Sequence, residues 1–234
     1  MGFEAYTPLL DGTIALLCFL RLWTVYRREG AESHRYFAKF FLFYGLFFIT
    51  IALPAYIGGL RNFGVADAAW TTFSTDSLLL FFIAGQGFFL AALAYFSQVP
   101  LHIIRPEWKE KVFRLNLGMI FVILPVNLLF FSMPAEEGFA AISTLSLPMA
   151  PVFGLLLLGQ MVPGILLFGK MAYDRSGTDR MKMALLSVGL LILTVSGPMH
   201  SIVSEPGLFI LASGFTITGT LTTFAGVYLN RVME

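Results

Sequence analysis

The amino-acid sequence predicts an all-α, polytopic membrane protein. It reads as a bundle of seven transmembrane helices, with the N-terminus outside and the C-terminus cytoplasmic. Three observations carry this. The 234 residues are 57% hydrophobic and only 12% charged, whereas soluble domains carry about 25% charged residues. Charge-free runs recur that are long enough to cross a bilayer, a span needing roughly 20 apolar residues at about 1.5 Å each. Of the 15 Lys and Arg residues, 14 fall on one side of the membrane that these runs imply. So little charge cannot cover a water-facing surface, and the bilayer becomes the main solvent.

The first span, 8–26, is the least regular, because Asp11 and Arg21 interrupt it. Arg21 can snorkel to the interface beside Trp23 and Tyr26. No basic residue precedes Leu10 and no A-x-A-like site follows, so this segment does not read as a cleaved signal peptide. Span two, 36–60, holds the charge-free run from Phe40 to Leu60, and span three, 76–97, lies in the run from Ser77 to Ile104. Span four, 114–133, follows the basic residues that end with Arg114. Between spans three and four, Pro100 to Lys111 alternates apolar and basic groups and is expected to lie along the cytoplasmic interface, anchored by Trp108. Span five, 148–172, is cut from a longer apolar run whose small and hydroxyl-rich start, Gly138 to Leu147, is placed outside the bilayer. Spans six and seven, 182–204 and 208–229, complete the set, and the short loops between spans make 1–234 a single domain.

Orientation follows from the loops. Arg27, Arg28 and Arg35, then Arg105, Lys109, Lys111 and Arg114, then Lys170, Arg175, Arg180 and Lys182 alternate with loops in which only Arg61 is basic. The positive-inside rule makes the first set cytoplasmic, most simply at a plasma (inner) membrane. The outer side is acidic, with Glu4, Asp11, Asp67, Asp76, Glu136, Glu137 and Glu205 against Arg61, which reads as ordinary solvated charge. The lone cysteine, Cys18, falls in mid-span, excludes an intramolecular disulfide and reads as a small packing residue.

Polar side chains at membrane depth are costly and usually face protein or a cavity. Helix rise places Gln86 and Gln160 near mid-membrane, Asn127, Ser196, His200 and Thr216 in the outer half, and Asn116 near the cytoplasmic face. Gln86, Asn127, Gln160, Ser196, His200 and Thr216 are the candidate ligand-binding residues, able to line a pocket among spans three to seven. Pro125 stands beside Asn127, Pro163 beside Gln160, and Pro198 between Ser196 and His200, and a proline frees a helix carbonyl that neighbouring polar groups can satisfy. Asn127 and Gln160 therefore also read as interhelical hydrogen-bond formers. The last span, with its Gly, Ser and Thr residues, reads first as a close-packing helix.

Several chemistries are disfavoured. Microbial rhodopsins, which the arrangement superficially resembles, hold retinal on a lysine within the last span, and this span has none. His200 is the only histidine within a span, so bis-histidine haem lacks its second imidazole, and no cluster of metal ligands is evident. Ser196 and His200 stand at i, i+4, but a Ser–His pair without an orienting acid or oxyanion hole does not make an enzyme. The expected function is non-catalytic: ligand binding or sensing, or service as an accessory membrane subunit of a larger complex. A lipophilic ligand, quinone or pigment fits the abundant aromatic residues. The expected partners are the bilayer and another protein or a second copy, with no nucleic acid. The alternative is a small transporter or channel whose polar pathway runs through Asn127, Gln160 and His200.

Overall fold

The computed structural model describes residues 6–61, 75–129, 150–202 and 206–229, and some side chains within them, including those of Asn127 and His200, lie outside the described set. The described residues form seven long helices: α1 (Thr7–Glu29), α2 (Glu32–Arg61), α3 (Thr75–Ile104), α4 (Lys109–Leu129), α5 (Ala150–Asp174), α6 (Gly177–Ile202) and α7 (Pro206–Tyr228). Six of them, all but α4, are long and apolar enough to cross a membrane. This supports an integral membrane protein built as a helical bundle.

The helix ends follow local chemistry. Gly30 closes α1 in the left-handed conformation at φ 78°, and its N–H donates to Tyr26 O at 2.8 Å. Glycine adopts that conformation without a Cβ penalty, and Arg27 and Arg28 in the last turn complement the negative end of the helix dipole. The segment after span three departs from the expected interfacial strip. Helix α3 continues through Pro100 to Ile104, and only then does a 3-10 turn, Pro106–Trp108, lead directly into α4. A proline within a membrane helix is tolerated when neighbours and local adjustments satisfy the freed carbonyl, and Pro100 is buried among such neighbours. The Arg21 guanidinium lies over the ring of Tyr228, at the end of α7, 5.1 Å from the centroid, and donates to the Tyr228 hydroxyl.

Consecutive packing joins α1 to α2, α2 to α3, α5 to α6 and α6 to α7, while α3 also packs on α5 and α7 on α1. Six helices thus close a ring. Helix α4 packs mainly on α3 and stands outside that ring. It is also the helix with charged first turns (Lys109, Glu110, Lys111, Arg114), which leave a short apolar stretch within the described residues. Its outward Phe121 and Leu129 are 79% and 81% exposed, as lipid-facing side chains should be in a protein whose solvent is a bilayer.

Two kinds of contact hold the ring. On one side, α2 inserts Phe37, Phe40, Phe41 and Phe48 into the core, with Phe96 from α3 and Phe168 from α5. Phe40 and Phe96 lie 5.6 Å apart between centroids, and Phe37 and Phe96 meet edge-on at 6.2 Å. On the other side, helices approach through glycine. A Cβ at Gly189 of α6 would lie 2.5 Å from Thr223 N of α7, and one at Gly226 of α7 would lie 2.9 Å from Leu186 N of α6. Gly12 of α1 meets α2 in the same way, a Cβ there falling 2.9 Å from Gly45 O. Without a hydrophobic drive between helices in lipid, such close van der Waals packing is a principal source of association.

Candidate functional site

The close approach of α1 and α2 at Gly12 and Gly45 sets Asp11 of α1 beside Tyr44 of α2. Helix α6 supplies Ser196, and α7, which packs on α1, supplies Thr216. The Tyr44 phenol interacts with both hydroxyls and feels the Asp11 carboxylate. All four are buried: Asp11 is 1% exposed, Tyr44 5%, Ser196 0% and Thr216 1%. Ser196 Oγ donates to Leu193 O at 3.1 Å, whereas Thr216 Oγ1 closes no hydrogen bond of good geometry. Thr7, one turn before Asp11, and Ser213, three residues before Thr216, are also buried.

Asp11 is the costly member. An ionised carboxylate at this burial requires compensation by charge or hydrogen bonding. The surrounding segments offer little charge of the right sign: Phe40 to Leu60, Met183 to Ser204 and Pro206 to Asn230 contain no Lys or Arg. Arg61, at the far end of α2, stands 17 residues beyond Tyr44, or roughly 25 Å along the helix.

A cavity of about 10 Å³ meets the cluster only at Tyr44 and is otherwise walled by apolar residues that include Leu93, Leu157 and Met161. Such a volume holds at most about one water. A second cavity of about 20 Å³ lies across Leu93, between α3, α4 and α5, and its polar wall is Asn116 and Gln160. There the two amides pair reciprocally: Gln160 Nε2 donates to Asn116 Oδ1 at 2.9 Å, and Asn116 Nδ2 lies 3.4 Å from Gln160 Oε1. Asn116 Nδ2 also donates to Ser97 Oγ at 3.0 Å, tying in α3.

The structure therefore divides the sequence-derived candidates. Ser196 and Thr216 meet in the Asp11 cluster. Gln160 joins Asn116 in a separate amide cluster. Gln86 is buried on α3, and no contact joins it to either cluster among the described residues. Asn127 and His200 lie on α4 and α6, with side chains outside the described set. Two members were missed from sequence. Tyr44 stands in a run of phenylalanines and reads as core, and Asp11 reads as an interruption of span one. A charge inside an otherwise apolar run was the available signal.

A third polar group lies at the opposite end of the bundle. Glu32, in the first turn of α2 ahead of span two, accepts from Arg35 Nη2 at 2.8 Å and from the Tyr36 hydroxyl at 2.7 Å, with Lys109 Nζ 3.8 Å away. Partial burial works to raise its carboxyl. The Tyr36 hydrogen bond and the charges of Arg35, Lys109 and His102 outweigh that and hold it below the usual carboxylate range. This group ties the start of α2 to the start of α4 and is read as structural. No family model, no curated protein and no solved structure matches the chain.

Proposed function

We propose that this is a seven-span membrane protein, N-terminus outside, that binds a small ligand at the Asp11–Tyr44–Ser196–Thr216 cluster and performs no catalysis of its own. It acts as a sensor or as an accessory subunit of a larger assembly, most simply in the plasma (inner) membrane. The single observation that carries the reading is a buried Tyr44 phenol that interacts with the Ser196 and Thr216 hydroxyls of two other helices and feels the buried Asp11 carboxylate of a third. Ionisable groups at membrane depth mark ligand or ion sites by default, because their cost must be offset by something. The count of seven takes α4 as the fourth span beside the six helices that are long and apolar enough to cross a membrane.

The test is native mass spectrometry of the protein gently extracted from its own membrane. The proposal expects a bound mass or a protein partner above the 25.9 kDa chain, with any non-protein adduct lost in Tyr44→Phe. A bare chain that does not change with either the variant or added ligands would refute it.

The two cavities on either side of Leu93 favour a second reading, that of a small transporter. A polar route would run from the Asp11 cluster past Leu93 to Gln160 and Asn116, replacing the route through Asn127, Gln160 and His200 read from sequence. Transport requires access from both faces in turn. Flux across proteoliposomes that Leu93→Phe blocks without loss of folding would select this reading.

A further inference from the structure

We propose that the basic end of the bundle carries a site for one anionic phospholipid of the surrounding bilayer, with the lipid phosphate on Lys39 and an acyl chain along the aromatic strip beside it. This site is separate from the Tyr44 cluster and requires only that the helices lie in a bilayer.

Lys39 stands inside the apolar span Glu32–Leu53 of α2, roughly 10 Å along the helix from Glu32. Its side chain is half-buried. Its Nζ lies 4.8 Å from the centroid of the Tyr95 ring on α3. Among the described residues, Lys39 closes no ion pair and no hydrogen bond. Arg35, Lys109 and Lys182 are also partly buried, and each has a carboxylate: Glu32 for the first two and Asp179 for the third. Lys39 has only the ring. A ring face attracts an ammonium, but the ammonium carries three donors, and the ring occupies one side of it. A lysine at this depth buries its stem and turns its charged head toward the interface, where lipid phosphates lie.

The ring under Lys39 belongs to a strip of aromatic surface. Tyr95 stacks on Phe43 of α2 with centroids 5.4 Å apart and planes 5° from parallel, and it meets Phe113 of α4 at 5.0 Å. Phe43 in turn meets Phe88 of α3 at 6.2 Å. All four rings are partly exposed. Helices α2 and α4 both pack on α3, so the strip follows the line where the three helices meet. Phe88 lies about two turns before Tyr95 on a helix that runs toward the basic end. The strip therefore leads from Lys39 toward the membrane interior. A phospholipid has the same order, an anion at the interface and an apolar chain beneath it.

Charge selects the headgroup. Arg35 and Lys109 already share the one carboxylate of Glu32, and Lys39 adds a further positive charge at this end of the bundle. A net-negative headgroup is favoured there over a zwitterionic one, whose own cation would meet that surplus. Lysine holds a phosphate as a point charge and needs no second fork of donors.

The test is native mass spectrometry of the full chain, purified in detergent and titrated with phosphatidylglycerol or with phosphatidylcholine of the same acyl chains. The wild type should retain one phosphatidylglycerol in preference to phosphatidylcholine. Thermal melts should show Tm rising with phosphatidylglycerol, as for any ligand of the folded state alone. Lys39→Gln should weaken retention by about tenfold, and Lys39→Arg, which keeps the charge, should keep most of it. Lys111→Gln removes a charge that lies over Trp108 instead, and it should leave retention unchanged, as should Tyr44→Phe. Inorganic phosphate at the same concentration should not displace the lipid, because it has no chain for the aromatic strip.

Equal retention of the two lipids by the wild type would overturn the proposal, whether or not Lys39→Gln folds. So would a Lys39→Gln chain that holds phosphatidylglycerol as the wild type does. An equal loss in Lys111→Gln would reduce the effect to net charge and overturn it too, and displacement by inorganic phosphate would mark an anion site without a lipid. A phosphatidylglycerol adduct lost in Tyr44→Phe but kept in Lys39→Gln would move the ligand to the Tyr44 cluster and sink this site alone.

Discussion

Replacing Gly189 by alanine tests whether glycine contact, rather than side-chain chemistry, joins α6 to α7. The added Cβ would lie 2.5 Å from Thr223 N and 3.0 Å from Thr223 Cα, besides meeting Thr223 Oγ1. Two of these three atoms are backbone, so no rotamer change relieves the clash. The helices must move apart by about 1 Å to restore ordinary contact, since carbon atoms pack at about 3.5–4.0 Å. Overpacking of this kind costs about 1–3 kcal/mol. At about 2–4 °C per kcal/mol for a chain of this size, Tm should fall by roughly 2–12 °C. The control is Gly159→Ala on α5, where a new Cβ meets nothing within 4 Å. It should be neutral or slightly stabilising, because alanine is the better helix former by about 1 kcal/mol. Adding Thr223→Ala to Gly189→Ala should restore less than half of the loss, because the backbone contacts remain. Thermal melts in one detergent measure all four proteins. Equal Tm for Gly189→Ala and Gly159→Ala would refute the reasoning.

Further expectations concern the other polar groups. Asn116→Ala and Gln160→Ala should each lower stability by about 0.6–1.7 kcal/mol, and the double variant by clearly less than the sum. Additivity in that double-mutant cycle would show that the amides do not act as a pair. Glu32→Gln should cost less than about 1 kcal/mol, because the group is partly solvated and screened by salt. The Glu32 carboxyl titrates lower in the folded chain than unfolded. Its contribution is therefore complete above the ordinary Glu value of about 4.3 and fades as pH falls through the lower folded value. Melts across acidic pH should show that loss in the wild type and not in Glu32→Gln; parallel curves would remove Glu32 from the account. Tyr44→Phe should keep the fold, because ring packing survives, and act on ligand readouts alone. A variant that fails to fold would mark the phenol as structural.

The helical architecture was legible because it depends on local composition. The charge-free runs mark where the helices lie: spans 8–26 and 148–172 stand against Thr7–Glu29 and Ala150–Asp174, while span four, 114–133, starts five residues after Lys109 and span three, 76–97, stops seven short of Ile104. The largest difference came at Pro100, where a proline and a rising charge density read as a helix end. Burial carries α3 past it instead. The site was only half legible. Ser196 and Thr216 announce themselves as hydroxyls in apolar helices, but which helix faces meet is decided by tertiary packing. The pairing of Gln160 with Asn116 depends on how α4 lies beside α3. The assembly of the Asp11 cluster depends on α7 returning to α1, a closure between the two ends of the chain that no local pattern encodes. Tyr44 differs from its phenylalanine neighbours by one hydroxyl, and only the approach of Asp11 and Ser196 gives that atom a role.

The account depends on Asp11, Ser196 and Thr216 lying toward the outer face, and single-cysteine labelling tests this most directly. Cys18 is buried and contributes little background. An impermeant maleimide applied to intact cells should label Ala66→Cys and Gly138→Cys. It should label Glu29→Cys and Ser176→Cys, at exposed positions beside the basic loops, only after permeabilisation. The opposite pattern would invert the bundle, place the Asp11 cluster toward the cytoplasm and contradict the account.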